Sequence, residues 1–221
     1  MKKLIILTAA LCFVTFSRME AQINKGKVLI GVGTSFSYYN FGSDLLSLGF
    51  STIKFKSNSA ATLDPSVQKM TTLNLLPKFG YFITNNLALG VDICIASAAS
   101  KTTSGQFVEK YTNSAMGIGP FIRYYISGSK VMPFLELQSL FGTISDKSEY
   151  GSTSTTSKTG MTSFGGGAGL AVKIGDKLTF DMLAGYNSMS TKAKEDNPNN
   201  ERMVQGTVGF KLGFTIILGA K

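Results

Sequence analysis

Leu87 to Ile95 reads LALGVDICI, and its two faces have opposite chemistry. Successive side chains of an extended strand point to opposite sides. Leu87, Leu89, Val91, Ile93 and Ile95 then share one face, while Ala88, Gly90, Asp92 and Cys94 share the other. One face is wholly aliphatic; the other carries small residues and a charge. The pattern recurs through most of the chain, in segments longer than the roughly 9–11 tilted residues that cross a bilayer. That is the signature of a transmembrane β-barrel, with lipid outside and polar residues within.

Working outward from this strand, the alternation predicts eight: 27–38, 71–83, 87–97, 112–126, 131–144, 159–174, 178–189 and 201–218. Leu73, Leu75, Pro77, Phe79, Tyr81 and Ile83 form the lipid face of the second. Pro77 has no N–H to give to a ladder, so a bulge is expected there. The inward face of the sixth is nearly bare, with Gly165, Gly167, Gly169 and Ala171 before Lys173. Thr84 to Asn86, 127–130 and Gly175 to Lys177 read as short turns. The segments 39–70, 98–111, 146–158 and 190–200 read as long polar loops, with LLSLGFSTIKF in the first offering a hairpin above the barrel. Alternating short and long connections suit short periplasmic turns and long external loops. An even count permits closure, which leaves no unpaired backbone edge in lipid. The expected fold is therefore all-β: an eight-stranded antiparallel transmembrane β-barrel of up-and-down topology, in one domain over 22–221.

The N-terminus predicts a secretory signal over 1–21. Lys2 and Lys3 precede the apolar run Leu4 to Phe16, and Ser17 to Ala21 offers a cleavage site before Gln22. Met19, at the minus-three position, leaves the bond itself open. The run is short for a helical span of about 20 residues. Cys12 follows Leu11 rather than a small residue, which argues against a lipoprotein signal. Beyond the signal Cys94 is the one cysteine, and the chain has no histidine. An intramolecular disulfide, a zinc–histidine site and a Ser-His-Asp triad are thereby excluded. The formal charge is +9, and loss of the signal leaves about +7, suited to anionic headgroups or polysaccharide. No nucleic-acid motif accompanies it.

The sharpest constellation is a set of inward charges: Lys78, Asp92, Arg123, Glu136, Lys173, Asp181 and Lys211. Four are basic and three acidic. An eight-stranded barrel has little internal room, and a buried charge is costly unless paired and hydrogen-bonded. The expected outcome is a salt-bridge network that fills the lumen. A narrow polar path or a small internal ligand site is the alternative. Glu136 with Asp92 or Asp181 also has the residue types of a glycosidase carboxylate pair. The neighbouring Lys and Arg favour network pairing instead, and no enzyme, cofactor or metal is expected. Gly165 to Gly167 has no following Lys-Ser/Thr and lies in a strand, so it is not a phosphate loop. Loop lysines, among them Lys54, Lys101, Lys110, Lys147 and Lys192, offer amines to anionic lipid sugars or another surface.

PKFGYFITNNLALG, from Pro77 to Gly90, resembles the second hairpin of the outer-membrane β-barrel domain proteins of Bacteroidetes-type bacteria, often grouped as porin-family small barrels. Gly119-Pro120-Phe121 with Arg123-Tyr124-Tyr125 resembles their next strand. The resemblance covers essentially the whole mature chain. It implies the bacterial outer membrane and a multi-pass barrel, and it brings no catalytic residues. Implied partners are outer-membrane lipid, the barrel insertion machinery, periplasmic chaperones and a surface ligand at the long loops; the barrel is expected to be a monomer. Many such barrels end on an aromatic residue, whereas this chain ends Ile216-Ile217-Leu218-Gly219-Ala220-Lys221, with Phe214 nearest. The insertion signal is then either shifted or weakened. A structural or surface-interaction barrel is the first expectation. A narrow porin comes second. An exported lipocalin-like barrel, with its faces inverted, comes third.

Overall fold

The computed structural model describes residues 23–36, 48–54, 67–104, 107–195, 198–199 and 201–219. The segment 1–21, read as a signal, lies outside the described residues. The described residues form nine strands: β1 (Val28–Phe36), β2 (Leu48–Lys54), β3 (Val67–Thr84), β4 (Leu87–Ser104), β5 (Phe107–Tyr125), β6 (Val131–Tyr150), β7 (Thr153–Lys173), β8 (Leu178–Ala193) and β9 (Met203–Leu218). All pairings are antiparallel between chain neighbours from β2 to β9. β1 closes the ring, pairing with β9 from Val28↔Leu218 to Phe36↔Phe210 and with β3 from Val28↔Tyr81 to Gly33↔Leu76.

β1 and β2 occupy one wall position in series. β2 pairs with the part of β3 beyond β1, from Leu48↔Leu73 to Lys54↔Val67. The ring is thus an eight-stranded transmembrane β-barrel built from nine segments. The LLSLGFSTIKF stretch supplies β2, which with β3 makes the hairpin expected above the barrel.

Three sequence expectations are corrected. Pro77 carries no bulge: Leu75↔Ile95 and Lys78↔Asp92 keep one register across it, and the shift lies between Phe82 and Thr84. Losing one N–H removes a bond from the ladder, but the flanking pairs still fix the register. The segments 98–111 and 146–158 are not long loops. β4 and β5 stay paired to Ser104↔Phe107, and β6 and β7 to Tyr150↔Thr153. From 147 to 158 all residues but Glu149 are exposed, so both faces meet water there and the Ser, Thr and Gly content resembles a loop. A ladder needs only backbone groups and tolerates such residues. Gly151, at φ +57°, closes the β6–β7 turn, a conformation that glycine reaches without steric cost.

The short turns gather at one end with both described termini. Asn85 and Asn86 make the β3–β4 turn, and Asn86 holds φ 64°. The Asn86 side chain accepts from the Ile23 N–H at 2.7 Å, and that of Asn85 from the Lys25 N–H at 3.0 Å. These bonds fold the chain ahead of β1 over the short-turn mouth and bury Ile23. Inside that end lies an apolar layer that includes Leu29, Phe82, Ala88, Tyr125, Met132 and Phe134. The Tyr125 ring stands 5.9 Å from Phe82 and 5.7 Å from Phe134. Leu76, Phe82 and Phe134 show that the inward face is not uniformly polar.

The outward face of the lower barrel is aliphatic and aromatic. Leu137 is 64% exposed and Val208 77%. The inverted lipocalin arrangement is absent, because exposed aliphatic and aromatic side chains line the outer face of the lower strands while the charged residues Lys78, Asp92, Arg123, Glu136, Asp181 and Lys211 are buried inside. Inward glycines make room for rings from neighbouring strands. A Cβ at Gly80 or Gly90 would meet the Phe121 ring at 2.8 or 2.6 Å.

Candidate functional site

Above the apolar layer, six charged side chains meet across the lumen. Lys78 comes from β3, Asp92 from β4, Arg123 from β5, Glu136 from β6, Asp181 from β8 and Lys211 from β9. Each sits at an inward position of its strand, and all six are buried. Cross-strand register sets two of the meetings directly, since Lys78 is opposite Asp92 and Arg123 opposite Glu136.

Glu136 is the hub. Its Oε2 accepts from Lys78 Nζ at 2.7 Å and from Arg123 Nε at 2.5 Å; its Oε1 accepts from Lys211 Nζ at 3.3 Å. Lys78 Nζ also lies 3.0 Å from Asp92 Oδ1, and Lys211 Nζ lies 3.9 Å from Asp92 Oδ2. Arg123 Nη1 donates to Asp181 Oδ2 at 2.5 Å. Hydroxyls complete the Asp181 carboxylate: Thr179 donates to Oδ1 at 2.7 Å and Thr215 to Oδ2 at 2.8 Å. Gln138 accepts from Lys211 at 3.0 Å.

The cations also rest on aromatic faces. Lys78 Nζ is 3.8 Å from the Phe121 ring centre, and the Arg123 guanidinium is 4.2 Å from that of Phe134. Arg123 Nη1 donates to the Tyr125 hydroxyl at 3.0 Å. The network is thereby tied to the apolar layer beneath it. Three cations face three carboxylates, so the buried cluster is formally neutral. That balance is what a low-dielectric interior demands of charges it encloses. A cavity of about 20 Å³ borders Lys78, Arg123, Asp181 and Lys211, room for about one water. The network fills the barrel interior at this level.

Lys173 stands apart from the other six. It is half-buried at the end of β7, lines the short-turn mouth and makes no ion pair among the described residues. Strand parity places it on the inward face, but parity says nothing of height along the barrel. Lys173 is opposite Thr179, two residues nearer the turn than the Ala171↔Asp181 pair. At the network's own level β7 offers glycine, and the Phe134 ring lies against Gly169.

Sequence reasoning missed Thr179, Thr215, Tyr125 and Phe121 as parts of the cluster. All four share the inward parity of the charges they contact. That parity was the available signal, but attention to ionisable types passed over hydroxyls and rings.

The outer hairpins carry a second grouping. On the outward side of β4 and β5, Lys101 is directly opposite Lys110, whose Nζ lies 4.0 Å from Glu149. Lys147 and Glu149 form a further exposed ion pair, and this holds the Glu149 carboxyl below its usual value. On the inward side, Tyr111 donates to Asp146 at 2.6 Å and Asn113 donates to the same oxygen at 2.7 Å. The bond to that carboxylate pushes the Tyr111 phenol up from its ordinary value.

A closed ring, an apolar exterior and a charged, filled lumen define the class: a small transmembrane β-barrel. No protein-family model matches the chain, and no curated protein does. Solved structures do resemble it. Ail of Yersinia pestis, in complex with the heparin analogue sucrose octasulfate, is 14% identical with a TM-score of 0.43, covering 88% of this chain and 99% of that one. A major outer membrane protein from Thermus thermophilus is 12% identical with a TM-score of 0.43, covering 87% and 99%. The N-terminal β-barrel domain of Pseudomonas aeruginosa OprF is 11% identical with a TM-score of 0.37, covering 89% and 100%.

Proposed function

We propose that this chain is a non-catalytic outer-membrane barrel whose lumen is closed and whose work is structural and at the surface. The observation that carries this reading is the neutral network of three cations and three carboxylates centred on Glu136. A solute path through it would require parting several charge-assisted contacts at once in a buried setting. The apolar exterior supports placement in a bilayer, and closure of the ring through β1 suits a lipid surround. In this reading residues 1–21 are a cleaved signal and the short turns face the periplasm. The barrel is a monomer, inserted by the barrel insertion machinery after escort by periplasmic chaperones. Membership of the porin-family small barrels belongs to the same proposal, on the residues from Pro77 to Gly90.

The outer hairpins are the surface through which the barrel acts. Lys101 and Lys110 are exposed and directly opposed, and like charges so placed repel. Glu149, 4.0 Å from Lys110 Nζ, answers part of that repulsion, and an anionic partner such as a lipid sugar would answer the rest.

Reconstitution tests the reading. The refolded full chain is expected in the membrane fraction, with heat-modifiable gel mobility and no steady conductance in a planar bilayer. A reproducible open channel would overturn the closed lumen, and a soluble protein would overturn the membrane barrel.

A further inference from the structure

The short-turn mouth carries a second concentration of charge, built on a different plan from the lumen. A cavity of about 380 Å³ opens there, lined by Lys27, Lys173 and Lys177, with Asp176 as the sole carboxylate among its lining residues. Its apolar lining comes from Ile23, Met132 and Ile217. The lumen lysines, Lys78 and Lys211, are each matched to carboxylates. Among the described residues, Lys27, Lys173 and Lys177 make no ion pair. The backbone of each of the three is nonetheless held in place by a hydrogen bond. The Lys27 carbonyl accepts from the Phe82 N–H at 2.9 Å, the Lys173 N–H donates to the Lys130 carbonyl at 2.9 Å, and the Lys177 carbonyl accepts from the Ile217 N–H at 2.8 Å.

We propose that this cavity binds a phosphate-bearing group. Three ammonium groups and one carboxylate give the lining a formal charge of +2. A phosphomonoester carries about −1.5 to −2 at neutral pH and three acceptor oxygens, so it matches the charge and offers one oxygen to each ammonium group. A lone carboxylate would leave part of that charge unanswered. The volume falls in the lower part of the roughly 300–1,000 Å³ range of small-molecule sites. It exceeds a bare phosphate and suits one carrying a glycerol- or sugar-sized substituent, whose carbon atoms would lie on Ile23, Met132 and Ile217. A phosphatidic acid headgroup and a soluble phosphate monoester both have this chemistry. The assignment is independent of whether the lumen conducts. It also gives a role to Lys173, which the lumen network leaves out.

The test is a titration of the refolded full chain in zwitterionic micelles with glycerol 3-phosphate, followed by backbone amide shifts. Saturable shifts confined to residues near 27, 130–132 and 173–179 are expected. Lys173→Gln and Lys177→Gln should each weaken binding about tenfold, equivalent to about 1.4 kcal/mol. The triple variant with Lys27→Gln should abolish it, and the hairpin control Lys192→Gln should not change it. Heat-modifiable mobility checks that each variant is folded. Shifts that do not saturate, or an unchanged affinity in the triple variant, would overturn the proposal. Nanodiscs then separate the sources. Loss of glycerol 3-phosphate binding when phosphatidic acid is added to phosphatidylcholine discs assigns the site to a lipid headgroup. Retained binding assigns it to a soluble phosphate ester.

Discussion

The lower and upper parts of β6 are one strand in hydrogen bonding and two in chemistry. From Val131 to Phe141 outward-facing side chains alternate with buried inward ones; from Gly142 onward the alternation is gone. The ladder to β7 nevertheless runs without a break to Tyr150↔Thr153. Alternation arises where the two faces meet different surroundings, a filled lumen on one side and an apolar phase on the other. Pairing arises from backbone groups alone and persists where both faces meet water. A reader of side-chain pattern therefore sees only the part of the strand that separates two media.

The largest expected difference between the two parts concerns charge. Glu136→Gln removes the carboxylate shared by Lys78, Arg123 and Lys211. It should cost about 3–5 kcal/mol, the usual consequence of leaving buried charge uncompensated. Lys147→Gln, in the upper part, breaks an exposed pair and should leave the unfolding midpoint nearly unchanged. Urea unfolding in lipid vesicles reads both, and equal costs would break the comparison.

The outer face gives the next effect. Leu137→Arg places a guanidinium in the apolar belt and should cost about 2–4 kcal/mol near the bilayer midplane. The same midpoint measurement applies, and a neutral result would sink the lipid assignment of that face.

Glycine sharpens the contrast on a smaller scale. A Cβ on Gly169 would collide with the Phe134 ring and approach the Met182 carbonyl oxygen to 2.5 Å. Gly169→Ala should therefore cost about 1–3 kcal/mol, as overpacking does. At Gly160, in the upper part, the nearest atom to a Cβ is the Lys192 carbonyl oxygen at 3.6 Å. Gly160→Ala should fall within about 0.5 kcal/mol of the parent.

The smallest effect is a titration. Lys147 holds the Glu149 carboxyl below its ordinary value of 4.5. A group with a lowered folded pKa contributes stability that is present above the ordinary value and lost as pH falls through the lowered one. Carboxyl carbon shifts should place the Glu149 midpoint below 4.5, returning toward it in Lys147→Gln. The unfolding midpoint should hardly move, since the pair is exposed.

Leu89, Val91 and Ile93 against Asp92 were enough to define the barrel wall, because one strand period fixes which side each residue takes. The same period put Lys78, Arg123, Glu136 and Lys211 inside. It could not supply their heights. Lys173 has the right parity but the wrong level, and only the stagger of β7 against β8 separates it from Asp181. Nor could it show that Thr179 and Thr215 complete the Asp181 carboxylate, because hydroxyls are common in strands and mark nothing by themselves.

By itself, then, the sequence determined the faces of the lower strands, the order of the ring and the types of charge turned inward, since these follow from local alternation and chain order. The tertiary structure decided which charges meet, where β2 joins the wall and how far the hairpins extend. Those depend on register between strands distant in sequence, and on backbone pairing that leaves no trace in side-chain pattern once both faces are wet.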